Sequence, residues 1–262
     1  MDSTTLSTKP LPLNKQFSKT WELIKTNWLN SLFVILFATI CVIAVAIILS
    51  LIWKLLLFLN IVQFYGIVFY RFAWQILTAI IFFILAILAQ FLLINAFLNP
   101  QIKLKQNLKS IKQIFWQLLL LSIIINLLFL LACLPIYISI FLFLLNSAVL
   151  GAISFILGFV LIIFLSCYLI FSPFILIEKK LSFLAAMKKS FILVGGNFKN
   201  VFWKIFILGI ILLLLNGLTI LITLAPIIIK SILSSLVLLF MIIFGFSYLF
   251  VIYQDLKSIK NL

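Results

Sequence analysis

The chain has 262 residues, 67% of them hydrophobic and only 9% charged, with a mean hydropathy of +1.44. A soluble domain of this length carries far more charge, so the composition excludes one and places the chain in a bilayer. The net charge of +15 does not point to nucleic acid, because the 19 cations interrupt long uncharged apolar runs, where the anion at hand is the lipid headgroup.

Residues 1–12 read as a disordered cytoplasmic tail, and residues 13–262 as one six-span membrane domain. Thirty mostly polar residues precede a first span that is too long for the h-region of a signal peptide, so no cleavage is expected. A spanning helix needs about 20 mostly apolar residues to cross roughly 30 Å of hydrocarbon. Stretches of that kind fall at about 31–53, 74–98, 114–134, 148–172, 201–224 and 232–253. The break between the third and fourth rests on Pro135 and the Asn146-Ser147 pair. Residues 55–70 are apolar and aromatic but too short to span; they read as an interfacial or re-entrant stretch, with Trp53, Tyr65, Tyr70 and Trp74 as belt aromatics.

The lysines set the orientation. With six spans, sixteen of the 19 cations fall on one side, and only Lys54, Arg71 and Lys230 on the other. Loops rich in Lys and Arg stay cytoplasmic, so both termini are expected inside. Abundant Phe, Ile, Lys and Asn with a single Arg suggests an AT-rich bacterial genome.

A cationic pattern occurs twice. Residues 13–30, LNKQFSKTWELIKTNWLN, align without a gap on residues 183–200, FLAAMKKSFILVGGNFKN. Leu13, Phe17, Trp21, Ile24 and Trp28 fall four, four, three and four apart, which is one helical face, and Lys15, Lys19 and Lys25 lie off it. Met187, Phe191, Val194 and Phe198 repeat the spacing beside Lys188 and Lys189, and so do Leu104, Leu108, Ile111 and Phe115. The expectation is three amphipathic helices in the headgroup plane, at about 13–29, 102–113 and 181–196, with apolar side chains down and lysines towards anionic lipid. The expected membrane-surface residues are Lys15, Lys19, Trp21, Lys25, Trp28, Lys188, Lys189, Phe191 and Phe198. Each such segment precedes an odd-numbered span, which suggests a threefold unit; alternatively, any span entered from the cytoplasm can use a cationic lead-in.

What is absent limits the chemistry. There is no histidine, the side chain best suited to proton transfer near neutral pH and the commonest metal ligand. Cys41, Cys133 and Cys167 sit singly in different spans, without ligand spacing, and read as small reduced packing residues. Of four carboxylates, Asp2 lies in the tail, and Glu22, Glu178 and Asp255 fall at the membrane edge, where each is expected to offset a neighbouring lysine, as Glu178 could with Lys179 or Lys188. No catalytic residue, metal site or cofactor is expected. Asn126 and Asn216 lie near the centres of the third and fifth spans as possible intramembrane polar contacts, either hydrogen-bonding across helices or lining a solute path. Small residues from Ser147 to Gly158 mark the fourth span as a central packing helix.

The stretch Ser172–Asn200, SPFILIEKKLSFLAAMKKSFILVGGNFKN, and the tail VIYQDLK resemble the signature of the YciC-like inner-membrane proteins and the related membrane domain of glycerophosphoryl diester phosphodiesterases. Pro173, Glu178, Ala186, Ser190, Leu193 and Gly196, then Tyr253, Asp255 and Leu256, occupy the signature positions. The chain departs from the family at Pro135-Ile136, where a Pro-Gly pair often ends the third span, and in a longer run from there to Glu178. The resemblance implies a polytopic membrane protein without assigned catalytic residues, whose spans would anchor or present lipid to a membrane or soluble partner. The function expected is that of a non-enzymatic scaffold or lipid-associated accessory; the alternative is an uncoupled small-solute transporter or channel.

Overall fold

A computed structural model of the chain describes residues 10–58, 67–99, 104–222 and 227–260. Among the described residues the fold is all-α, with helices α1 (Leu13–Phe58), α2 (Ile67–Leu98), α3 (Leu104–Leu144), α4 (Ala148–Leu169), α5 (Ser172–Lys179), α6 (Phe183–Val194), α7 (Phe198–Ile222) and α8 (Ile227–Lys260). Among the described residues, six segments are long and apolar enough to cross a membrane: Leu13–Ile52, Phe72–Leu98, Lys105–Leu144, Ala148–Lys179, Phe198–Ile220 and Leu233–Lys260. Their outward faces are apolar, as at Leu144, Val149 and Leu213, which are 76%, 73% and 71% exposed. Hydrocarbon tolerates such faces and water does not. The tail residues 1–9 and the centre of the stretch at 55–70, residues 59–66 with Tyr65, lie outside the described residues.

The lead-ins differ from expectation. Residues 13–29 and the first span form one unbroken helix of 46 residues, and residues from Leu104 run into the third span in one helix of 41 residues. At 1.5 Å per residue these are about 69 and 62 Å long, twice the hydrocarbon thickness. Only the last lead-in is a separate helix, α6, because Gly195 and Gly196 follow it and Gly196 adopts φ +84°, a conformation open to glycine at little cost. The aligned residues in α1 are Lys25 and Thr26, which carry the helix onward.

What the copies share is a buried stripe. Thr20, Asn27, Ser31 and Val34 are buried in α1, and Asn107, Ile114, Leu118 and Leu121 in α3. At the aligned positions of the last copy Ser190, Val201 and Lys204 are buried, and Asn197 is half-buried. Steps of seven, four and three residues return to one face of a helix, so each copy turns the same side inward. Trp21 and Trp28 lie off the stripe and are exposed.

The helices divide into two compact units, Met1–Thr26 with Trp116–Leu262, and Asn27–Phe115. In the second unit the end of α2 is buried from Phe91 to Phe97 around a polar knot. Asn95 Nδ2 donates to Asn107 Oδ1 at 2.6 Å, and Asn107 Nδ2 donates to the Leu92 carbonyl at 3.1 Å. Asn99 Nδ2 donates in turn to Asn95 Oδ1 at 3.0 Å. Buried amides need such partners.

In the first unit α7 packs on α8, α5 on α6, and α4 on α6 and α7. Helix α3 runs through Pro135, which cannot donate to the carbonyl four residues earlier, and ends beyond Leu144, where Asn146 takes φ +59°. Helix α4 lies against α3 through its glycines: a Cβ on Gly158 would stand 2.6 Å from Ile136 Cγ1, and one on Gly151 3.0 Å from the Phe143 ring. Ser154 Oγ donates to the Pro135 carbonyl at 2.7 Å in the same seam. Helix α4 also packs on α6 and α7 near its C-terminal end, where Tyr168 meets Phe191 and Phe198, although much of its remaining surface is exposed; its small residues thus serve the α3 seam of a helix with three neighbours. Those residues bring one neighbour close, and the core lies instead in α5 and the end of α8.

Candidate functional site at the lysine-rich helix ends

Of the three aligned positions Val34, Leu121 and Lys204, all buried, two are apolar and the third carries a charge. Lys204 Nζ lies 2.9 Å from Asp255 Oδ2, and the two side chains are 3% and 4% exposed. An unpaired ammonium at that depth would cost several kcal/mol, about what the Asp255 carboxylate offsets. The carboxylate also accepts from the backbone N–H of Leu11, at 3.2 Å through Oδ1 and 3.1 Å through Oδ2. One acid thus ties the start of α7, the end of α8 and the chain just before α1.

A second acid does similar work one helix away. Glu178, near the end of α5, accepts from the Tyr253 hydroxyl and from Lys257 Nζ, both on α8. The partners differ from the expected Lys179 and Lys188, because the last turns of α8 bring Tyr253 and Lys257 beside the end of α5. The pair is half-buried, with side chains 22% and 29% exposed. Phe174 and Phe171 stack on the Tyr253 ring at 5.6 and 6.3 Å and fix the hydroxyl's direction.

Helix α6 is held at both ends. Gln117 Oε1, from α3, accepts the Phe183 N–H at 3.1 Å, doing what the N-cap residue Ser182 leaves undone. At the other end Lys260 Nζ donates to the Ile192 and Gly195 carbonyls. Between them Ser190 Oγ donates to the Tyr168 carbonyl at 2.5 Å.

Of the positions that carried the family resemblance, Pro173, Ala186, Ser190, Leu193, Tyr253, Asp255 and Leu256 are buried and Glu178 is paired, whereas Gly196 is exposed. Among the expected membrane-surface residues, Lys15, Lys19, Trp21, Lys25, Trp28 and Lys188 are exposed and Lys189 is half-buried. Phe191 and Phe198 instead stack on the Tyr168 ring, at 4.8 and 5.5 Å, so the apolar face of the last copy packs on protein. Phe17 does likewise against Tyr248, at 5.5 Å.

Asn126 and Asn216 are both exposed and bond within their own helices, to the Ser122 carbonyl at 2.8 Å and from the Thr219 hydroxyl at 3.2 Å. Neither of these bonds bridges two helices. Lys204 and the Asn95–Asn107 pair were missed from sequence, and Tyr253 was noted there only as a signature position, without its bond to Glu178. Lys204 had a readable signal, because it is a cation inside the apolar run 201–224, and such a residue calls for a partner.

The fold and the paired charges define a class: an all-α, multi-pass integral membrane protein whose helix ends are cross-tied by ion pairs. Comparison with protein-family models, curated proteins and solved structures returned no match.

Proposed function

We propose that the protein works without catalysis, as a scaffold or lipid-associated accessory of the bacterial inner membrane. In this reading both termini are cytoplasmic, and the lysine-rich ends rest on anionic headgroups and serve a membrane or soluble partner. The observation that carries it is the division of charge. Glu178 and Asp255 are consumed in ion pairs that tie helices together, whereas Lys15, Lys19, Lys25, Lys180, Lys188 and Lys199 are exposed. Each exposed lysine contributes on the order of 1 kcal/mol near an anionic surface. Acids already tied to lysines are poor candidates for acid–base chemistry, and the same residues carry the resemblance to the YciC-like proteins, which we read as a shared scaffold.

Tryptophan quenching tests this, because Trp21, Trp28 and Trp203 are exposed. In reconstituted bilayers, brominated phosphatidylglycerol should quench more than brominated phosphatidylcholine at equal mole fraction. The excess should shrink with salt, since the Debye length falls from about 10 Å at 0.1 M to about 3 Å at 1 M. Equal quenching by the two lipids would refute the anionic preference.

A further inference from the structure

A groove of about 680 Å³ opens between the first turns of α1 and the last turns of α8, and the hydrogen bond from Leu11 to Asp255 lies in its wall. Its volume falls in the range of small-molecule sites. The floor is apolar, from Leu23 on α1 and Phe250 and Val251 on α8, and the rim is polar. On α1 the rim and floor extend from Lys19 to Thr26, a rise of about 10 Å.

The charges facing the groove are matched in sign. Asp255 is neutralised by Lys204, which leaves Lys19 and Glu22, both exposed and, among the described residues, in no ion pair. They stand three residues apart on one helix face, where Cβ atoms lie roughly 5–6 Å from each other. A cation and an anion at that separation, above an apolar floor, complement a ligand that carries a phosphate, a nearby ammonium and acyl chains.

We propose that this groove binds a zwitterionic aminophospholipid of the phosphatidylethanolamine type, with its phosphate on Lys19, its ammonium on Glu22 and the start of its chains over Leu23, Phe250 and Val251. A primary ammonium donates hydrogen bonds to a carboxylate, which the quaternary ammonium of phosphatidylcholine cannot do. The proposal rests on the lipid-associated reading above, but it concerns one stoichiometric site and not the anionic annulus.

The test is native mass spectrometry of the delipidated full chain in detergent, titrated with phosphatidylethanolamine, phosphatidylcholine and soluble phosphoethanolamine. One phosphatidylethanolamine should bind about tenfold more tightly than phosphatidylcholine, as a hydrogen bond to a charged group allows. Glu22→Gln should erase that preference, while Lys19→Gln should weaken both lipids alike. Both positions are exposed, and an unchanged melting temperature in each variant separates loss of binding from loss of fold. Equal binding of the two lipids, a preference that survives Glu22→Gln, or soluble phosphoethanolamine binding as tightly as the lipid would each overturn the proposal. The quenching experiment with phosphatidylglycerol is independent of these outcomes, so failure of the site is distinguishable from failure of the general lipid role.

Discussion

Lys204 Nζ meets Asp255 Oδ2 at 2.9 Å with both side chains almost fully enclosed. The two residues lie 51 positions apart on adjacent helices, and the same carboxylate holds the backbone of Leu11, 244 positions away. This one acid joins the beginning and the end of the chain.

Removing either partner should therefore be costly and removing both much less so. Lys204→Met or Asp255→Leu alone should destabilise by about 3–5 kcal/mol, because each leaves a buried charge uncompensated. The double variant should recover most of that, short of the N–H bond from Leu11. Thermal unfolding in detergent across the four proteins gives the coupling. Additive losses would show that the pair is not coupled.

Tyr253→Phe keeps the ring stack with Phe174 and deletes only the hydroxyl that Glu178 accepts. The expected loss is about 1.5–3 kcal/mol, the range for a hydrogen bond to a charged group. Lys257→Met should cost less, since that pair is more exposed and screened by solvent. A reversed order in unfolding midpoints would contradict the half-buried geometry.

Gly158→Leu should separate α3 from α4, because a Cβ there already overlaps Ile136. Overpacking of this kind costs about 1–3 kcal/mol. Gly209→Leu is the control, with nothing within 4 Å of its added Cβ. Comparable losses of folded yield in the two variants would rule out the close α3–α4 seam.

Sidedness can be read by cysteine labelling in a variant with Cys41, Cys133 and Cys167 replaced, all of which are free thiols. A cysteine at Ser147 should react with an impermeant maleimide in intact cells. Cysteines at Ser182 or after Leu262 should react only in inverted vesicles. Labelling of Ser147 from the cytoplasmic side would break the six-span, termini-inside topology.

The class of this protein was legible without coordinates. Apolar runs of spanning length are local, and the helices long and apolar enough to cross a membrane fall where those runs are. The cationic repeat was legible too, but its meaning was not. Its spacing said that one side of each helix differs from the other, and the side expected to face lipid carried Phe17, Trp21 and Trp28. The tertiary structure leaves both tryptophans exposed on the protein and buries a different side, with Thr20, Asn27 and Ser31. Hydrophobic periodicity cannot choose between lipid and protein as the covering phase, since both are apolar; inter-helix packing in a bilayer favours small and polar side chains.

The pairing of charges was decided by tertiary structure alone. Sequence placed Glu178 beside Lys179 and Lys188, yet its partners are Tyr253 and Lys257, 75 and 79 positions away. It counted Lys204 only among the sixteen cations of one membrane side, and the stripe shared with Val34 and Leu121 carries it into the protein interior. Composition and periodicity fix what each helix must hide over a few turns. Which ends meet, and so which lysine each acid must neutralise, depends on how distant helices dock, and no local pattern along the chain contains that.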